Sequence, residues 1–293
     1  MKLDHDPLSA PFVSLSPAQL GVKHEGVRRC DLCGPLPSRP RLAVVGSRAA
    51  HRHLLALIPS LLRCAMLRGW SLVSGGALGI DAGAHRAALD LSMPQLAVLP
   101  CGRDRVYPLQ HARLFGAMLR SGEAGLLFAH PPHTPTKRAF FAARNGIIIN
   151  LADAVLVVEA GLRSGSRGTG ERSLVRGRAT AVIVGSPGNA ALIGRGATAL
   201  PEPQRGRSPA DHAPTVEAFT HWLDAIERPQ AETRQPTMDP WPAALHGLRE
   251  ALRAAGPSGA SLTQLGPEAA LALLEAELLG LVCEAAPGRW VSC

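Results

Sequence analysis

The chain of 293 residues is 46% hydrophobic and 18% charged, with a net charge of +8 and a pI near 9.8. That balance excludes a chain too polar to fold and favours a polyanionic partner. No apolar run reaches the ~18 residues of a membrane span and no leader-type segment opens the chain, so a cytoplasmic protein without membrane contact is expected.

Residues 1–40 are rich in proline and polar residues without sustained periodicity, and read as a poorly packed arm with one short helix near Pro17–Val22. His24, Cys30 and Cys33 contain half of a zinc-type ligand set, but no second pair follows, so no metal is expected. Leu42 to Val45 is a short apolar strand that ends in Gly46-Ser47-Arg48 and leads into a helical pattern reaching Leu67. A second strand near Trp70–Val73 runs into Ser74-Gly75-Gly76-Ala77-Leu78-Gly79, and a helix starts at Ile80 with Asp81 in its first turn. Gln95–Leu99 is a third strand, His111–Ser121 a helix, and Gly125–Phe128 a fourth strand. A proline-rich loop over Pro131–Lys137 precedes a helix at Phe140–Leu151. Ala154–Glu159 is a strongly apolar strand whose exit loop, Arg163-Ser164-Gly165-Ser166-Arg167-Gly168-Thr169-Gly170, opens the next helix; Ala181–Val184 is a further strand.

Short strands alternating with longer helices predict an α/β fold: a doubly wound, mostly parallel Rossmann-like sheet over 41–226. In such sheets ligands bind where strand C-termini meet helix N-termini, because unpaired backbone N–H groups point there. Three loops, at Gly46–Arg48, Ser74–Gly79 and Ser164–Thr169, are therefore candidates for one phosphate-binding crevice. The plainer alternative is that their glycines only make tight turns. A helix over Thr215–Ile226 precedes a linker at 227–240. Beyond it, helices at Ala243–Ala254 and Pro267–Leu279 and a hairpin at Val282–Glu284 and Trp290–Val291 outline a small C-terminal winged-helix domain, 241–293. This tail carries three arginines against five glutamates, a net −2, which leaves +10 on residues 1–240. The tail thus reads as an interaction appendage rather than a DNA reader.

In order along the chain stand Val44-Val45-Gly46-Ser47-Arg48, Ser-Gly-Gly-Ala-Leu-Gly-Ile-Asp-Ala-Gly-Ala-His-Arg from Ser74, Leu99-Pro100-Cys101-Gly102, Tyr107-Pro108, Arg144-Asn145 and Ser164-Gly165-Ser166. That series resembles the DNA-processing protein A (DprA/Smf) family over about residues 41–200. The resemblance implies a dimer that binds single-stranded DNA and hands it to the RecA recombinase in natural transformation, with no catalytic residues and no cofactor. It adds Lys137, Phe141, Arg144 and Asn145 to the binding residues, beside Gly46, Ser47, Arg48, Ser74, Gly75, Gly76, Gly79, Ser164, Gly165, Ser166, Arg167 and Thr169. Leu78 and Gly146 stand where the family usually has arginines, and 40 residues are too few for the usual N-terminal domain.

The competing reading is a Rossmann-like enzyme or sensor of a small phosphate ligand. Relatives that cleave nucleoside monophosphates carry Gly-Gly-x-Gly-Thr-x-x-Glu where this chain has Gly165–Glu171, with the glutamate one residue early. Asp81, His85 and Glu159 are its acid–base candidates, although a mutual contact of Asp81 and His85, four apart on one helix, is the simpler expectation.

Overall fold

The computed structural model describes residues 11–22, 27–204, 209–227, 245–255, 260–266, 269–278, 282–286 and 289–292. His24 and residues 228–240 of the expected linker lie outside them. The chain divides into two compact units, Met1–Glu227 and Arg228–Cys293.

The first unit is organised by a nine-stranded sheet. Its strands are β1 (Phe12–Leu15), β2 (Cys30–Cys33), β3 (Arg41–Gly46), β4 (Ser71–Ser74), β5 (Gln95–Leu99), β6 (Ala124–Phe128), β7 (Ala154–Glu159), β8 (Ala179–Ile183) and β9 (Thr198–Leu200). The connecting helices are α1 (Arg52–Leu67), α2 (Ile80–Asp90), α3 (Ala112–Ser121), α4 (Arg138–Leu151), α5 (Gly165–Val175), α6 (Pro187–Ile193) and α7 (Pro209–Glu227). Strand order is β1-β2-β6-β5-β4-β3-β7-β8-β9, parallel from β6 to β9 and antiparallel at β1 and β2. The chain winds outward from β3 through β4, β5 and β6, then returns to lay β7 on the other side of β3. The β3–β7 seam is thus the topological switch point, where such sheets open a crevice.

Strand alternation divides the core between two faces. Leu42 and Val44 join Leu72, Leu156, Val158 and Ile183 under α1, α2 and α7, while Ala43 and Val45 join Val73, Val98, Val155 and Val182 under α4 and α6. Burial on both faces is why these strands read as continuous apolar runs.

The expected arm over 1–40 is corrected by β1 and β2, which extend the sheet beyond β6. In β2 the sequence Cys-Asp-Leu-Cys is wholly buried, with Asp31 compensated by Ser14, Arg29 and Arg103. A buried aspartate breaks the apolar pattern that would have announced the strand. The helix expected near Pro17–Val22 is a hydrogen-bonded turn, with Leu20 N–H on the Ser16 and Pro17 carbonyls. Cys30 and Cys33, three apart on a strand, face opposite sides and join different core clusters. Burial pushes both thiols up to about 11, the reverse of a metal-ready pair.

The second unit contains α8 (His246–Ala255), β10 (Ala260–Ser261), the short α9 (Leu262–Leu265), α10 (Ala269–Leu278), β11 (Val282–Ala286) and β12 (Arg289–Ser292). Its strands form an antiparallel sheet in the order β10-β12-β11, over a small core that includes Leu248, Leu252, Leu273 and Val282.

Candidate nucleic-acid interface

At the C-terminal ends of β3 and β7 lies a pocket of about 430 Å³. Its walls come from the β3 exit (Gly46, Ser47, Arg48), the start of α2 (Ala77, Asp81), α4 (Phe141, Arg144, Asn145) and the start of α5 (Ser164, Gly165, Ser166, Thr169). Each element is placed by a specific contact. Ile80 of α2 donates its N–H to the Ser47 carbonyl at 3.1 Å. Ser166 of α5 donates its hydroxyl to the Gly46 carbonyl at 2.7 Å. Asn145 of α4 donates to Thr169 Oγ1 at 2.9 Å, and Thr169 in turn donates to the Gly165 carbonyl. Ser164 caps α5 by accepting the Arg167 N–H, which leaves the first turn of the helix facing the pocket. That end of the helix favours an anion.

Arg48 is exposed, and its guanidinium carbon lies 5.0 Å from the Phe141 ring centroid. Asp81 and Glu159, the acids expected as its alternative partners, are engaged elsewhere. Asp81 faces Arg144 at 3.8 Å, and Glu159 binds His51 at 2.6 Å through Nδ1. Among the described residues Arg48 shows no ion pair, so its charge is available to a ligand.

The Ser74–Gly79 loop does something other than the sequence suggests. Its cradle is already filled by the carboxyl group of Asp81. The carboxyl group accepts the Ala77 N–H at 3.3 Å, and the Gly46 and Gly75 backbone N–H groups favour its charged form. Burial raises the Asp81 pKa, against the pull of Arg144 and these N–H groups. Burial likewise lowers that of Arg144, while Asp81 opposes the shift. Both side chains are 5% exposed. Arg144 therefore lines the pocket as half of a self-neutralised pair. The four loop residues expected at the crevice are structural. Ser74 is fully buried and donates to the Val44 carbonyl. At Gly75 a Cβ would sit 1.5 Å from Arg144 Nη1 and 2.7 Å from Asp81 Oδ2, so a side chain there would displace the buried pair. Gly76 packs on Phe115, and Gly79 on the Ser47 and Arg48 carbonyls.

Arg167 is also corrected: it pairs with Glu171 one turn along α5, at 3.5 Å, away from the pocket wall. On α4, Phe141 lines the pocket while Phe140 stacks on His130 with centroids 3.7 Å apart. The roughly 100° between adjacent helix positions allows one of them into the crevice, and it is Phe141.

A second, shallower depression of about 630 Å³ continues from the first, sharing Arg48, Phe141, Asn145 and Gly165. It adds Tyr107, Lys137, Arg138 and Arg172. Tyr107 meets Phe141 edge-on at 5.6 Å. Sequence reasoning placed Lys137 here but missed Tyr107, Arg138 and Arg172. The Lys137-Arg138 dipeptide at a helix start was the available signal for Arg138. Arg172 sits one turn beyond Gly168, with Nη1 on the Ala142 carbonyl.

The acid–base candidates are not brought together. His85 is fully buried against Gln95 at 2.8 Å, and burial lowers its pKa to about 4. The expected Asp81–His85 contact is replaced by the separate pairs Asp81–Arg144 and His85–Gln95. Among the described residues no group of three His, Cys, Asp or Glu is arranged to hold a metal.

A family model described as DNA recombination-mediator protein A matches residues 32–205. Protein Smf of Escherichia coli is 34% identical over 259 residues, covering 86% of this chain and 67% of that protein. The chain spans smaller shares of further curated relatives, from 31% to 55% of their length. The crystal structure of DNA processing protein A from Streptococcus pneumoniae matches with a TM-score of 0.58 and 30% identity, over 65% of this chain and 71% of that one. A structure of Helicobacter pylori DNA processing protein A, whose single-stranded DNA binding mode was the subject of its study, matches with a TM-score of 0.62 at 21% identity, over 74% of this chain and 98% of that one. The latter likeness shows the fold alone.

Proposed function

From a chain that belongs to the DNA recombination-mediator protein A family, we propose a protein that binds single-stranded DNA along the groove from the β3–β7 pocket to Lys137, Arg138 and Arg172. It acts by binding rather than by catalysis, as a homodimer in the cytoplasm, and passes the strand to the RecA recombinase in natural transformation and recombination. The observation that carries this reading is Arg48, exposed over Phe141 and free of any ion pair among the described residues. A forked guanidinium over an aromatic ring suits a phosphate with its base stacked alongside. Neighbouring cations, Lys137, Arg138 and Arg172, extend along the backbone path. We take the acidic C-terminal unit to be a winged-helix-type appendage that contacts protein, since phosphates repel its net charge.

The dimensions of the inner pocket and the open first turn of α5 are what favour the second reading, a small phosphate ligand. A titration with a labelled oligonucleotide separates the two. Four groove cations predict a log–log salt slope of about −3 for a single strand. A single strand is expected to bind more tightly than a duplex, and a nucleoside monophosphate to compete only weakly. A monophosphate binding as tightly as the oligonucleotide would replace this reading with the small-ligand one.

A further inference from the structure

The side chain at the start of α1 is an unusual choice. His51 occupies the N-cap position, yet makes no capping hydrogen bond, and no acid stands in the first turn. Serine, threonine, aspartate or asparagine there would stabilise the helix. Instead the ring and the backbone N–H of His51 both engage Glu159 at the end of β7, at 2.6 Å and 3.1 Å. Glu159 is 10% exposed at its side chain and His51 70%.

This double contact fastens the far end of the segment that carries Arg48. The near end is fixed by the Ser166 hydroxyl on the Gly46 carbonyl and the Ile80 N–H on the Ser47 carbonyl. Between the two anchors lie Arg48, Ala49 and Ala50, with the Ala49 N–H on Ser47 Oγ at 3.2 Å. A second pocket, of about 340 Å³, opens behind the segment, lined by His51, His53, Glu159, Ser186 and Glu202. The segment therefore runs between two cavities. At its far end it leans on Glu159, and the neighbouring Ala50 packs against the core.

We propose that the His51–Glu159 bracket is a positioning device for DNA binding: it holds the β3–α1 segment so that Arg48 stands over Phe141, and contributes to affinity only through Arg48. The inference rests on the reading of Arg48 as a phosphate contact. A segment without the bracket must be ordered by the ligand itself, and that ordering lowers affinity.

The test is a double-mutant cycle read by oligonucleotide affinity, with melting temperature measured alongside. His51→Phe keeps a ring and removes the donor. It is expected to weaken binding about three- to tenfold when Arg48 is present, and less than about twofold in the Arg48→Ala background. Glu159→Ala, which removes both contacts, should lose at least as much as His51→Phe and show the same dependence on Arg48. Glu159→Gln, which keeps an acceptor for the His51 N–H and a partner for its ring, should recover most of that loss. Equal losses with and without Arg48 would overturn the proposal, because His51 would then act on DNA directly or on the fold as a whole. So would unchanged affinity in both backgrounds. If Arg48→Ala itself leaves binding intact, the reading of the site fails first, and the inference fails with it.

Discussion

Replacing Gly79 by alanine tests whether the glycine-rich loop packs the protein or cradles a ligand. Gly79 has φ 76° and ψ −124°, a conformation that L-residues rarely adopt, which costs about 1–3 kcal/mol when forced on them. A Cβ there would lie 2.1 Å from the Ser47 carbonyl oxygen and 2.7 Å from that of Arg48. Both are backbone atoms, so relief requires moving the β3 exit away from α2. That movement sacrifices the Ile80-to-Ser47 hydrogen bond, worth about 1 kcal/mol. Together these give roughly 2–4 kcal/mol. For a unit of this size the melting temperature should fall by about 4–16 °C, measured by circular dichroism. Gly161→Ala is the control, since a Cβ there meets open space, and it should melt within about 2 °C of the parent. Gly79→Ala melting like the parent while losing oligonucleotide affinity would refute the packing account and return the loop to phosphate binding.

Phe141→Ala should weaken single-strand binding by about 1–3 kcal/mol, whereas Phe140→Ala should alter it little, because Phe140 is spent on His130; titrations of the two variants side by side decide this. His85 is held near pKa 4 by burial, below its ordinary value, so the unfolded chain takes up a proton before the folded one does. Stability from this residue is whole above about pH 6.5 and drains by roughly 3 kcal/mol as pH falls to 4. Urea midpoints across that range should fall less steeply in His85→Gln. Deleting residues 228–293, which form a separate compact unit, should change oligonucleotide affinity by less than about threefold, since an acidic module adds no phosphate attraction; a larger loss in the same titration would place the unit on the DNA.

Much of the fold was legible because the parallel strands are buried on both faces and leave uninterrupted apolar runs, such as Gln95–Leu99 and Ala154–Glu159, whose bounds the structure repeats. The outer strands were not. In β2, Asp31 is buried between the nearby Arg29 and Arg103 of a distant loop, and β9 is only three residues long. At the site, the β3 exit and the start of α5 could be read because a strand end and a helix cap leave local signatures. The Ser74–Gly79 loop misled for a physical reason. A glycine loop at a helix N-terminus offers N–H groups to any anion, and sequence does not say that the chain's own Asp81 takes them. Nor does it say which arginines are spent. Arg144 and Arg167 are paired with Asp81 and Glu171, and only tertiary geometry leaves Arg48 free of such a partner.

Arg48→Ala, titrated against a labelled single strand over a range of salt, tests the central claim most directly. The account predicts a loss of about 1–3 kcal/mol in affinity and a salt slope shallower by roughly 0.7. The melting temperature should stay within about 2 °C of the parent, because Arg48 is exposed and makes no ion pair among the described residues. Undiminished affinity with an unchanged slope would show that the strand does not pass through this groove.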